Sequence, residues 1–157
     1  MAMGTFTLFD VATLWEADGT GLLVASNTFK MILTTSTQAL TSSTIQVYAD
    51  FTNELTTTGG YTAGGATLTG VTITRSGGTT TFTFTGPSPD WTASGGGIAA
   101  WRYMAIYVSG TLNGHVNPAV GFVLGDGTNV DVPATAAPNT ITILPGGTGL
   151  FTITHSP

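Results

Sequence analysis

The stretch Val71-Thr72-Ile73-Thr74-Arg75-Ser76-Gly77-Gly78-Thr79-Thr80-Thr81-Phe82-Thr83-Phe84-Thr85 decides the fold class. Val71 and Ile73 alternate with threonine before the glycines, and Phe82 and Phe84 alternate with Thr81, Thr83 and Thr85 after them. A period of two puts the apolar residues on one side of each strand, so the segment reads as a hairpin with one greasy face. Ser76-Gly77-Gly78 is the turn, because glycine supplies the positive φ that tight hairpins require. Burying the apolar face leaves a threonine-rich face to meet water or another subunit.

The same chemistry extends along the chain. Threonine makes up about one residue in five, with 22 glycines, a composition that favours pleated strands joined by tight turns. Asn139 to Leu144 carries Ile141 and Ile143, Pro145-Gly146-Gly147-Thr148-Gly149 turns, and Leu150 to Thr154 carries Phe151 and Ile153. This predicts a second hairpin at the C-terminus. Trp101 to Val108 and Ala119 to Leu124 are apolar on both faces, as strands covered on both sides must be. Phe29-Lys30-Met31-Ile32-Leu33 reads as an earlier strand, with Lys30 lifting its ammonium to solvent or lying at an edge.

Two segments carry helical signals. From Phe9 to Ala17 the apolar residues roughly follow a helical stripe that stops at Asp18-Gly19. Thr44 to Phe51 fits a short helix, through Ile45, Tyr48 and Phe51, as well as a strand, through Ile45 and Val47. The prolines of 87–90 and 132–138 mark loops, and Gly59-Gly60, Gly64-Gly65 and Ser94-Gly95-Gly96-Gly97 mark sharp turns or close backbone approaches. The expectation is an all-β, single-domain antiparallel β-sandwich over residues 1–157, with one or two short helices in its N-terminal half and residues 1–8 as an N-terminal arm. The last three residues, His155-Ser156-Pro157, are a second candidate arm.

Charge narrows the function. Charged residues are 7 % of the chain, against roughly 25 % in average soluble domains, and the mean hydropathy is +0.31. A surface so poor in ions suits a subunit that hides apolar faces against neighbours. With a net charge of −5 and three strong bases, Lys30, Arg75 and Arg102, the chain has no patch able to neutralise several phosphates. The absence of cysteine excludes disulfides and thiolate metal sites. The first residues lack the basic start and apolar core of a signal peptide, and no apolar run reaches the length of a membrane span, so the chain reads as soluble and made in the cytoplasm.

No constellation of catalytic groups stands out. The acids are Asp10, Glu16, Asp18, Asp50, Glu54, Asp90, Asp126 and Asp131, and their spacing singles out no catalytic pair. Asp50 and Glu54 read as solvated or capping carboxylates, and His115 and His155 as surface histidines. There is no Gly-x-Ser-x-Gly elbow, phosphate loop or dinucleotide fingerprint. Asp126-Gly127-Thr128-Asn129-Val130-Asp131 reads as a turn and not as a calcium loop, since it lacks the closing glutamate. No cofactor, metal or small-molecule substrate is implied. Tyr61, Trp91, Trp101, Tyr103 and Tyr107 read as core or interface aromatics in preference to a sugar-stacking platform. Arg102, on the opposite strand face from Tyr103, needs an acid or backbone carbonyls as partners.

Glu54, then Gly60-Tyr61-Thr62-Ala63-Gly64-Gly65-Ala66-Thr67-Leu68, is flanked by Lys30-Met31-Ile32-Leu33 before it and by Trp91 and Arg102-Tyr103-Met104-Ala105-Ile106-Tyr107 after it. In this order the motifs resemble a family of small tailed-phage virion structural proteins, over most of positions 29 to 124. The Ser94 to Gly97 run, the loop around His115 and the Pro133 to Pro138 segment depart from that pattern. The resemblance implies a non-enzymatic role in a virion assembled in the host cytoplasm, first as a capsid decoration or cement protein. Its partners are then the major capsid protein and copies of itself, in a trimer for example, with no nucleic acid or membrane bound. The interface or structural residues are Tyr61, Gly64, Gly65, Trp91, Trp101, Arg102, Tyr103 and Tyr107. The alternatives are a tail subunit of tube, baseplate or fibre base, and a carbohydrate-binding module on a receptor-binding tip.

Overall fold

The structure, a computed structural model, describes residues 3–85, 89–146 and 149–154. Its elements in chain order are β1 (Thr7–Leu8), α1 (Asp10–Ala17), β2 (Phe29–Thr34), a 3-10 turn (Tyr48–Asp50), β3 (Ala66–Thr67), β4 (Thr72–Ser76) and β5 (Thr79–Thr83). There follow β6 (Asp90–Thr92), β7 (Tyr103–Val108), β8 (Thr111–Leu112), β9 (His115–Val116), β10 (Ala119–Leu124), β11 (Thr140–Thr142) and β12 (Phe151–Thr154). The chain is one all-β domain of antiparallel sheets, with a single α-helix among the described residues, as its threonine and glycine content leads one to expect.

The central five-stranded sheet has the order β1-β10-β7-β2-β3. Its middle strands are those whose sequences are apolar on both faces, and both faces are covered. Met31 lies opposite Ile106 and Leu33 opposite Met104, which directs these four into the larger core. Ile32 lies opposite Ala105, one pleat over, and these two join Tyr107, Phe9, Ile45 and Phe51 in a second core on the other face. A one-residue slip of β2 would exchange the two sets, so the register is held by both cores at once.

The second layer is split. β12-β5-β4 packs the expected greasy hairpin against the larger core, with Ile73 opposite Phe82 and the Phe29 ring edge-on to Phe82 at 5.0 Å. Phe82 and Phe84 are buried, whereas Val71 and Ile73 are half-buried. β11 pairs with β6 in a separate two-stranded sheet, and α1 seals one flank by burying Ala12 and Trp15.

Three expectations change, and one open alternative is decided. Asn139 to Leu144 and Leu150 to Thr154 do not form one hairpin: Ile141 pairs with Trp91, while Phe151 pairs with Phe82. Each half finds an aromatic partner on a distant strand, and Phe151 lies between the rings of Phe6 at 4.4 Å and Phe82 at 5.0 Å. These long-range aromatic contacts outweigh what a glycine-rich turn contributes locally. Of the short helix and the strand that Thr44 to Phe51 left open, the structure has a short helical turn, the 3-10 turn at Tyr48–Asp50, whose start is held by the Asp50 carboxylate accepting the N–H groups of Gln46 and Val47. Trp101 precedes β7 as an isolated bridge to Val132.

The N-terminal segment is no free arm from Gly4 onward. Gly4 N–H donates to the Leu124 carbonyl, and Thr7 and Leu8 pair with Phe122 and Gly121 as the edge of the main sheet. The C-terminal residues 155–157, including His155, lie outside the described residues, as do 86–88 and 147–148 of the two proline-containing loops.

Candidate functional site

The densest polar arrangement among the described residues is built around Glu54. The chain enters it from β2: Leu55 N–H donates to the Leu33 carbonyl and Glu54 bridges Thr34, which sets the glutamate beside the end of the central sheet. The next turn, Thr58-Gly59-Gly60-Tyr61, closes with reciprocal backbone bonds between Thr58 and Tyr61. Gly59 and Gly60 have φ of 60° and 95°, the pair of positive values that a type I′ turn demands. That turn swings Tyr61 back over the strand it left.

Glu54 then gathers three donors. Its Oε1 accepts from the Tyr61 hydroxyl and from Gly64 N–H, each at 2.7 Å, and its Oε2 accepts from the Tyr48 hydroxyl at 2.6 Å. Tyr61 also accepts from Leu33 N–H at 3.0 Å, and Tyr107 on β7 donates to the Gly64 carbonyl at 2.9 Å. The rings of Tyr48 and Tyr107 stack at 4.7 Å. One carboxylate thus ties the 3-10 turn, the 58–65 loop and two central strands together, and most of its lone pairs are occupied.

Burial pushes all three phenols up, with the Glu54 charge adding to it: Tyr48 and Tyr61 well above the ordinary tyrosine range, and Tyr107 to about 12. The folded state therefore holds these phenols protonated where the unfolded chain ionises near 10. The stabilisation is complete below pH 10 and is lost as pH rises from there through 12. We expect urea midpoints that are flat from pH 7 to 9 and fall steeply above pH 10, with tyrosinate absorbance appearing together with unfolding. Absorbance that rises fully before the fold is lost would show the phenols to be open to solvent.

The sequence-derived site residues divide by burial. Tyr61, Trp91, Trp101 and Tyr107 are buried in the two cores, with Tyr61 and Trp91 rings 5.7 Å apart. Gly64 and Gly65 are half-buried and belong to the glutamate cluster. Tyr103 is half-buried and packs edge-on against Phe122, while Arg102 Nε donates to Asp131 Oδ1 at 2.8 Å, the acid partner that its apolar setting required. These eight residues do not converge on one surface.

Glu54, read from the sequence as a solvated or capping carboxylate, is half-buried and instead joins two tyrosines and the Gly64 amide. Tyr48 enters the sequence reading only as a helical-stripe residue of Thr44 to Phe51; the legible signal is an acid placed just before a Gly-Tyr turn. Asp50 does cap, and Asp126 forms a turn by accepting the N–H and hydroxyl of Thr128, which hold its carboxyl below the usual range. His115 is half-buried and its ring stacks on Trp15 at 4.1 Å, tying the β8–β9 hairpin to α1.

A shallow depression of about 470 Å³ opens beside Trp101, Met104 and Ile143; among the described residues its lining holds no acid or base, and Thr142 contributes its one hydroxyl. Among the described residues no group of three or more histidine or acid side chains is placed to hold a metal ion, and no helix is long and apolar enough to cross a membrane. The fold and site therefore define an all-β domain whose most elaborate polar network is internal. No family model, curated protein or solved structure matched the chain in comparison with known proteins.

Proposed function

We propose that this protein is a non-enzymatic virion structural subunit, and in the first place a capsid decoration or cement protein that binds the outer shell of a phage head and bridges neighbouring capsomers. The observation that carries the reading is where the chain spends its polar chemistry. Glu54, three tyrosines and two backbone groups of Gly64 are consumed in bracing a loop, while threonine-rich strand faces and single apolar side chains such as Leu14, Val116 and Leu144 meet the outside. A surface of this kind adheres through many modest contacts, which symmetry multiplies across a shell, and it leaves few ions to desolvate on docking. The motifs over residues 29 to 124 support the same assignment by their resemblance to tailed-phage virion proteins.

The glycan-binding alternative loses support because Trp91 and Trp101 are 5 % and 3 % exposed and offer no open ring face for stacking. The test is to mix the purified protein with heads that lack it, sediment them and count bound copies. Saturation near the number of capsomers or of local threefold sites is the expected result. Recovery on tails with none on heads moves the protein to the tail, and binding to neither overturns the assignment.

A further inference from the structure

Along the flank of α1 runs a groove of about 400 Å³, walled by Leu8, Ala12, Leu23 and Ile153 and closed by Glu16 and Ala17. Its volume lies in the roughly 300–1,000 Å³ range of small-ligand pockets, which leaves room for a long side chain. Among the described residues Glu16 is its one charged lining residue. The carboxylate uses Oε1 to accept Leu23 N–H, and Oε2 has no partner among the described residues.

The position of this acid runs against local electrostatics. Glu16 lies in the last turn of α1 and Asp18 directly follows it, where the helix dipole favours cations, and the last turn contains no base. Asp18 is engaged by Thr20 N–H and hydroxyl, so it closes the helix end, whereas Glu16 lines the apolar trough. The chain's lysine and arginines are on other elements, Lys30 on β2, Arg75 on β4 and Arg102 bound to Asp131, and His115 meets α1 through its ring on Trp15. A negative helix end that makes no ion pair among the described residues, beside an apolar groove and in a chain of net charge −5, is complementary to a cation carried on an aliphatic stem.

We propose that this groove docks a lysine side chain presented by a partner protein, with the methylenes along Leu8, Leu23 and Ile153 and the ammonium on Glu16 Oε2. Lysine fits better than arginine. Arginine gains from a two-oxygen fork, and here one oxygen is already committed to Leu23, whereas an ammonium needs a single point contact. The inference stands apart from whether the partner belongs to a head or a tail.

The test titrates the full-length ¹⁵N-labelled protein with the blocked peptide acetyl-Ser-Leu-Lys-Leu-Ser-amide and with the same peptide carrying norleucine for lysine, at millimolar concentrations. Shifts confined to the amides of residues 8–24 and of Ile153 are expected, with affinity falling about tenfold for norleucine, and by a similar factor for Glu16→Gln, which keeps the acceptor for Leu23. Ala17→Lys, an exposed change that supplies a cation in place, should abolish the shifts without loss of fold. Equal binding of both peptides, unchanged binding by the two variants, shifts elsewhere, or no shifts at all would overturn the proposal.

Discussion

Replacing Glu54 by alanine is expected to lower the unfolding free energy by about 3–4 kcal/mol, measured by urea denaturation at neutral pH. The substitution strands two phenol hydroxyls and the Gly64 amide, and Tyr61 is 2 % exposed, so water does not readily take the place of the lost acceptor. Each unsatisfied buried donor costs about 1–3 kcal/mol, and the half-buried location of Glu54 brings the total below their sum. Glu54→Gln should be intermediate, since one oxygen remains an acceptor while the amide nitrogen opposes a donor. A loss below about 1 kcal/mol for alanine would mean that solvent already serves the network, and the bracing role assigned to it would fail.

Gly65→Ala is expected to cost about 2–5 kcal/mol, with Gly64→Ala as the internal comparison. At Gly65, φ is 69° and an added Cβ would meet the Met31 carbonyl oxygen at 2.0 Å, on a central strand that cannot move without disturbing both cores. The left-handed conformation contributes about 1–2 kcal/mol for a residue with a side chain. Forcing the loop away from β2 adds about 1–3 kcal/mol. At Gly64 the φ is similarly positive, 90°, but the nearest atom to the new Cβ is the Tyr107 hydroxyl at 3.9 Å, ordinary contact, so only the conformational part applies. Equal effects at the two positions would show that the close approach of loop and strand is not what the glycine serves.

Much of the architecture was legible because periodicity reports it directly. The 71–85 hairpin, the strands at 29, 103 and 119, the helix after Phe9 and the turn chemistry of Asp126 all follow from alternation, stripe and short-range hydrogen bonding. The pairing of the last two strands did not. Local turn residues at 145–149 suggest that β11 and β12 pair with each other, and nothing in the one-dimensional pattern reveals that Trp91 and Phe82 are the better partners. The docking of Gly4 to Leu8 on β10 escaped notice for the same reason: a terminal segment has no flanking pattern, and its hydrogen bonds come from a strand more than a hundred residues away.

The glutamate cluster was half legible. That the glycines around Tyr61 serve shape was read correctly from their spacing, and the positive φ values supply the reason. The role of Glu54 was not, because spacing along the chain cannot show that Tyr48, Tyr61 and Gly64 converge on one carboxylate. Composition and alternation by themselves determined an all-β chain, poorly charged and greasy on both faces of its central strands, because those properties depend on which residues are present and on a period of two. Only the tertiary structure decided which strands pair, which tyrosines share an acid and which side of α1 is left open, because those outcomes depend on contacts between residues far apart in sequence, each chosen against competing partners.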